Sequence, residues 1–158
     1  VADHRMRVEH CCYVTPPILQ RLKRGGFVDS SATGFMDELG EAYSANRGRD
    51  AMRWMWPHRS LIDAGVPAPG HSDFAVCRVS PWTALGAMVT RRTTGGTDLD
   101  QREAITPIEA LLGDDGRWVA IDGSIFDRNT VAEFFGQFSF ITQIVRDDVM
   151  AESPLGIG

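Results

Sequence analysis

Hydrophobic and polar positions near the start of the chain alternate with the period of a β-strand. Over residues 5–10, Met6, Val8 and His10 fall on one face and charged side chains fall on the other. A second short strand is predicted over residues 27–31. The pattern therefore predicts two strands within the first 31 residues.

Helix signals separate the predicted strands. Thr15 offers a capping hydroxyl before two prolines, and Gly25-Gly26 provides a stop after an apolar stripe formed by Ile18, Leu19 and Leu22. A long polar segment over residues 32–50 is predicted to be a loop that carries irregular helix, and long loops of this kind often carry function.

The same alternation continues in the next part of the chain. A helix is predicted to end at Gly65, a third strand to span residues 66–73, and a further helix to span residues 82–92 with Ser80 as its N-cap. The order βαβαβα predicts an α/β fold with a parallel sheet.

Beyond Asp98 this alternation degrades. Capping boxes are predicted at Thr106 to Glu109 and at residues 130–133, and a strand is predicted over residues 137–146. We place a domain boundary near Gly113, so that residues 1–112 form one domain and residues 113–158 form a tail of uncertain α+β structure.

Composition narrows the function classes. The 158 residues are 43% hydrophobic and 23% charged, as in a globular domain, and the net charge of −5 provides no basic field for nucleic acid. No apolar run approaches the roughly 18 residues that span a bilayer, so no membrane partner is expected. Three cysteines, two of them adjacent, fit neither a disulfide framework nor a metal knuckle, which favours a reducing, cytoplasmic location.

Two residues at predicted strand ends could carry chemistry. His10 ends the first strand and Asp73 ends the third, and sites in parallel α/β proteins form at the carboxyl ends of strands. Imidazole and carboxylate together are common ligands of a catalytic metal. The alternative is a hydrogen-bonded core histidine and an aspartate that caps a helix.

Several separated motifs carry a resemblance to a known family. They are Arg7-Val8-Glu9-His10, Leu61-Ile62-Asp63-Ala64-Gly65-Val66, His71-Ser72-Asp73 and the segment from Thr106 to Leu111. In order and spacing over residues 5–112 they resemble the C-terminal part of metal-dependent amidohydrolases, in the branch called amidohydrolase family 3 that includes N-substituted formamide deformylase-like enzymes.

The resemblance implies the last three βα units of a TIM barrel. It implies that His10 and Asp73 are metal ligands, that the cofactor is a divalent metal, most often zinc, and that Asp73 transfers protons during catalysis. The implied reaction is hydrolysis of a non-peptide carbon–nitrogen bond in a small amide or formamide substrate.

The chain also departs from the family pattern. His71 stands where the family has Gly, Ala75 stands where it has Pro, and residues 30–33 replace its S-x-Q-P motif. His71 could crowd the site, bind the metal or orient the site, and the alternative is a packed or solvated side chain. Arg91 could bind an anion near the site mouth, and the alternative is a solvated helix end. Both residues are candidates for support of the ligands or for contact with substrate.

The family's other metal ligands have no counterpart here. We therefore expect a C-terminal fragment that is inactive alone and that pairs with the remainder of its own barrel or forms a homo-oligomer. The alternative is a non-catalytic α/β binding or assembly module derived from an amidohydrolase.

Other candidate residues favour structural roles. His4 and His58 are expected to be solvated or capping, and Cys11-Cys12 is expected to be a pair of buried inert thiols. A further set of aromatic and methionine side chains could line a substrate pocket near the strand ends, but such clusters more often form core or an interface; they are Trp54, Trp56, Trp82, Met52 and Met55.

Overall fold

A computed structural model describes residues 4, 6–112, 117–119 and 125–127. The chain divides into two compact units, Val1–Ile105 and Thr106–Gly158. The elements described in the first unit are β1 (Arg7–His10), α1 (Pro16–Gly25), β2 (Val28–Ser31), α2 (Gly34–Glu38), α3 (Gly40–Arg47), α4 (Arg49–Met52), α5 (His58–Asp63), α6 (Pro81–Thr90) and a 3-10 turn (Gln101–Glu103).

Strands β1 and β2 pair in parallel, as the βα order predicts. Val8 lies opposite Asp29, and His10 lies opposite Ser31. Helix α1 makes the crossover between the two strands, as a parallel connection requires. The predicted mixed α/β fold is confirmed, and its helices and parallel pairing place the ends of both strands on the same side of the first unit.

The predicted third strand is not a regular strand. Residues 67–71, which we call the extended segment, run parallel to β2 with one bridge between Ser31 and Gly70. The amides of Asp29 and Ser31 donate to the carbonyls of residues 67 and 69, and only His71 donates back, to the Ser31 carbonyl. Residues 67 and 69 are prolines without an N–H, so neither can donate a hydrogen bond to β2.

The predicted helices form with small shifts at their ends. Helix α1 stops at Gly26, which has φ of 68°, and Gly65 ends the turn after α5 with φ of 67°. The long polar segment contains α2, α3 and α4. The expected capping bonds of Thr15 and Ser80 are absent, although both residues precede their helices in extended conformation. Prolines in the first turn leave fewer amides for a cap to satisfy.

Among the described residues of the first unit, two clusters of buried side chains form core. One brings α2, α4 and α6 together and contains Ala32, Phe35, Met36, Met52, Met55, Trp56, Cys77, Ala87 and Leu99. The other packs α1 against α5 and contains Val14, Leu22, Leu61 and Val66. The preference for core over pocket is therefore confirmed for Met52, Met55 and Trp56, while Trp82 is half exposed.

The described part of the second unit contains α7 (Pro107–Leu112), β3 (Arg117–Val119) and β4 (Ile125–Asp127). The predicted capping box is confirmed, because the Glu109 carboxylate accepts from the Thr106 amide at 2.9 Å and the Thr106 hydroxyl accepts from the Glu109 amide at 3.3 Å. Strands β3 and β4 pair in antiparallel fashion. Gly113, the second predicted capping box and the predicted strand over residues 137–146 lie outside the described residues, so those predictions stay open.

Among the described residues no helix is long and apolar enough to cross a membrane.

Candidate metal centre

His10 lies at the carboxyl end of β1, where the backbone leaves the strand. Its φ is 65°, and the indole N–H of the buried Trp56 donates a hydrogen bond to its carbonyl oxygen. The imidazole ring lies with its centroid 5.7 Å from the ring of Phe35 and 5.3 Å from that of His71. With 42% of its side chain exposed, His10 is not a core histidine.

Asp73 comes two residues after the end of the extended segment, which lies on the other side of β2 from β1. Its Oδ2 atom lies 3.8 Å from Nε2 of His10, and 41% of its side chain is exposed. The structure therefore brings together, at one edge of the parallel strands, the two residues that the sequence singled out. Both side chains remain accessible from solvent.

Both residues adopt backbone conformations that cost free energy. His10 has φ of 65° and Asp73 has φ of 49°, in the left-handed region that non-glycine residues avoid. Each such residue costs on the order of 1 kcal/mol or more. Strain of this kind concentrates at functional sites, and here it falls on both members of the pair.

His71 does not point a free nitrogen toward this pair. Its Nε2 lies 3.0 Å from the Ser30 carbonyl oxygen, and its Nδ1 accepts from the Asp73 amide at 3.1 Å. Both ring nitrogens of His71 therefore have protein partners, the Ser30 carbonyl oxygen and the Asp73 amide.

The pair fits a divalent metal as a partial ligand set. Zinc bound by imidazole and carboxylate in tetrahedral geometry holds the two donor atoms about 3.4 Å apart, close to the separation in this structure. A catalytic site takes about three protein ligands, however. Among the described residues no group of three or more His, Cys, Asp and Glu side chains is placed to hold a metal.

Arg91 lies away from the site mouth that the sequence suggested for it. Its side chain is fully buried, and its guanidinium donates to five backbone carbonyls, those of Met52, Met55, Trp56, Leu99 and Asp100. Burial lowers the pKa of Arg91 to about 10, so the group stays charged at neutral pH. The predicted contact of Arg91 with an anion is therefore wrong, because its guanidinium donors point into the protein.

Two buried groups with strongly shifted pKa values, His58 and Asp29, were not predicted from the sequence. His58, expected to be solvated or capping, is buried, and burial together with the neighbouring Arg91 lowers its pKa to about 3. Asp29 is also buried, and burial raises its pKa to about 7 although the Ser31 hydroxyl donates to its Oδ1. No local sequence signal predicts the burial of His58. For Asp29 the strand alternation gives a signal, because Asp29 lies opposite Val8 and on the same face of the sheet.

The cysteines are free and have unreactive surroundings. Cys11 and Cys12 are half-buried, and desolvation raises the pKa of each thiol to about 11. Cys77 is buried and its pKa is also raised by desolvation. Thiols in this state are poor nucleophiles at neutral pH, as expected for inert cysteines.

Comparison with known proteins decides the family. A sequence model described as "Amidohydrolase family" matches residues 1–112, which include both His10 and Asp73. The chain belongs to the amidohydrolase family. A relative of this amidohydrolase chain, an N-substituted formamide deformylase from Arthrobacter pascens, is 32% identical to it over 111 residues.

Two solved structures resemble the fold of this amidohydrolase chain. Both are described as uncharacterized metal-dependent hydrolases, one from Pyrococcus horikoshii OT3 with a TM-score of 0.58 and one from Pyrococcus furiosus with a TM-score of 0.54. Each is 22% identical to the chain and covers about two thirds of it, 68% and 67% respectively.

The chain spans about a fifth of the length of these relatives. It covers 20% of the deformylase, and 22% and 21% of the two hydrolase structures.

Proposed function

We propose that this chain supplies two metal ligands, His10 and Asp73, to a hydrolase that cleaves non-peptide carbon–nitrogen bonds of the amide or formamide type. The observation that carries the proposal is the 3.8 Å approach of His10 Nε2 to Asp73 Oδ2, at the ends of two parallel segments that flank β2. Family membership supports the reaction class, and the deformylase relative supports a formamide-type substrate.

The metal that we propose is a divalent cation, with zinc as the best match to one nitrogen and one oxygen donor. When bound, such a cation supplies Lewis acidity that activates water and polarises a carbonyl group. His10 and Asp73 would hold it, and further ligands would come from residues outside the described part of this chain. The proposed architecture is a TIM barrel to which this chain contributes about three βα units.

Asp73 has a second proposed role as the proton carrier. Its Oδ2 faces His10, and a carboxylate has another oxygen that can accept a proton. In the proposed reaction, water adds to the substrate carbonyl carbon as its proton passes to the Asp73 carboxylate. The carbon–nitrogen bond then breaks as Asp73 returns the proton to the leaving nitrogen, which gives an acid and an amine.

An apolar residue next to Asp73 suggests which part of the substrate lies there. Phe74 follows Asp73 directly and is 72% exposed, and Val76 is 57% exposed. Exposed side chains of this size would favour an apolar group on the substrate nitrogen. We therefore propose that N-alkyl and N-aryl formamides are better substrates than unsubstituted formamide.

The test uses a longer protein that contains this chain and the residues encoded upstream of it in the same reading frame. Two quantities are measured, the hydrolysis of N-alkyl and N-aryl formamides and the amount of metal bound. We expect Asp73→Asn to lower kcat by about 10²-fold or more, since it removes the proton carrier. Asp63→Asn is the matched control, because Asp63 is an exposed carboxylate paired with Arg59.

Two results would contradict the proposal. One is turnover by Asp73→Asn equal to that of the unsubstituted protein. The other is an extended protein that folds but neither binds a divalent metal nor hydrolyses any of the formamides, which would favour the non-catalytic module. The 158-residue chain alone is expected to be inactive.

A further inference from the structure

The imidazole of His71 connects β2 with the turn that carries Asp73. On one side its Nε2 lies 3.0 Å from the carbonyl oxygen of Ser30 in β2. On the other side its Nδ1 accepts a hydrogen bond of 3.1 Å from the backbone amide of Asp73. A single ring therefore links a strand to the residue proposed as metal ligand and proton carrier.

The two partners of His71 determine where its proton lies. An amide N–H can only donate, so Nδ1 is the unprotonated nitrogen of the ring. A carbonyl oxygen can only accept, so Nε2 carries the hydrogen. This is one defined neutral tautomer, and it uses both nitrogens of the ring.

The main chain at His71 is held independently of its side chain. Its amide donates to the Ser31 carbonyl at 2.9 Å, and its carbonyl accepts from the Gly34 amide at 3.1 Å. The extended segment is thus fixed on β2 and on α2 without help from the imidazole. A change of the side chain should consequently leave this part of the fold in place.

The ring also lies against the other proposed ligand. The rings of His71 and His10 meet edge to face, with centroids 5.3 Å apart and an interplanar angle of 83°. His71 therefore contacts the imidazole of His10 and the backbone of Asp73 at once.

We propose that His71 is a positioning residue that holds the Asp73 backbone in its left-handed conformation, so that the carboxylate faces His10. The inference deepens the proposed metal centre and rests on it for the role of Asp73. It replaces two other interpretations of His71, as a metal ligand and as a side chain that crowds the site. A left-handed aspartate is strained, and the hydrogen bond from its amide to Nδ1 offsets part of that cost.

Three substitutions of His71 test the hydrogen bonds of its two ring nitrogens separately. His71→Asn places an amide oxygen near the position of Nδ1 and keeps the acceptor for Asp73. His71→Gln places an amide nitrogen near the position of Nε2 and keeps the donor to Ser30. His71→Ala keeps neither, and circular dichroism checks that each variant retains its fold.

The experiment uses the 158-residue chain labelled with ¹⁵N and has two readouts. The first is hydrogen exchange of the Asp73 amide, which we expect to speed up about tenfold or more in His71→Ala and His71→Gln and to remain slow in His71→Asn. The second is broadening of the His10 and Asp73 signals by added Co²⁺, which measures metal affinity. We expect that affinity to fall about 10- to 100-fold in His71→Ala and to recover in His71→Asn.

The two readouts distinguish failure of the positioning role from failure of the proposed metal centre. Unchanged exchange of the Asp73 amide in His71→Ala would overturn the positioning role, whether or not metal binds. Loss of Co²⁺ affinity in His71→Asn despite a protected Asp73 amide would also overturn it, since the ring would then act as a ligand. If the N-terminally extended protein binds no Co²⁺ while the Asp73 amide of the unsubstituted chain is protected as expected, the contact stands and the proposed metal centre fails.

Discussion

Nε2 of His10 and Oδ2 of Asp73 lie 3.8 Å apart because their chain segments flank the same strand. In the register of the sheet, His10 is opposite Ser31, and Ser31 in turn bridges to Gly70 in the extended segment. Strand β2 thus sets the separation of the two side chains. The indole of Trp56 holds the His10 backbone, as the imidazole of His71 holds that of Asp73.

Replacement of Trp56 should destabilise the end of β1. Trp56→Phe keeps most of the buried ring but removes the N–H that the His10 carbonyl accepts. We expect the free energy of unfolding to fall by about 1 to 3 kcal/mol, from an unpaired carbonyl and lost packing. Urea denaturation of the chain measures the change, and an unchanged free energy of unfolding in Trp56→Phe would show that the hydrogen bond contributes nothing.

Adjacent arginines at the end of α6 should respond very differently to the same change. Arg91→Lys removes a planar group that donates to five carbonyls in the core, and a lysine ammonium has three donors in another geometry. We expect a loss of about 2 to 4 kcal/mol of stability. The control Arg92→Lys changes an exposed side chain and should cost less than about 0.5 kcal/mol. Similar melting temperatures for the two variants would contradict the structural role of Arg91.

Asp29 should make the chain less stable as the pH rises toward neutrality. Its pKa is raised by burial from 3.8 to about 7, so the folded chain keeps a proton that the unfolded chain releases. The favourable contribution is complete below about pH 4 and is lost as the pH rises to about 7, up to a total on the order of 4 kcal/mol. Asp29→Asn should therefore flatten the stability profile in this window, as measured by urea denaturation at several pH values. Asp63→Asn should leave the profile unchanged, and an unaltered profile in Asp29→Asn would contradict the assignment.

His58 should make the chain less stable as the pH falls, which is the opposite of the effect of Asp29. Its pKa is lowered by burial from 6.5 to about 3, so between these pH values the unfolded chain binds a proton that the folded chain does not bind. The contribution of His58 is complete above about pH 6.5 and is lost as the pH falls toward 3, by about 2 kcal/mol between pH 6.5 and pH 5. We expect His58→Gln to remove this acid dependence, with His4→Gln as a control. A variant that loses stability in acid as steeply as the unsubstituted chain would rule out this role of His58.

Local signals accounted for much of the fold. The strand alternation before His10, the glycine stop at Gly26 and the capping box of Thr106 with Glu109 each depend on residues within one element, and each forms as predicted. The third predicted strand does not form a regular ladder with β2, because two prolines in it have no N–H to donate. For the candidate site, the spacing of the motifs identified His10 and Asp73, and the parallel order implied that they meet.

The sequence by itself determined β1, β2 and the helices around them, and which residue types could carry chemistry at the strand ends. These properties follow from side-chain periodicity and from capping groups that act over a few residues. Only the tertiary structure decided that Arg91 and His58 are buried, that Asp29 keeps a raised pKa and that both nitrogens of His71 are occupied. Their burial and their hydrogen bonds depend on carbonyls and amides from distant parts of the chain, whose positions are set only when the helices pack on the parallel strands.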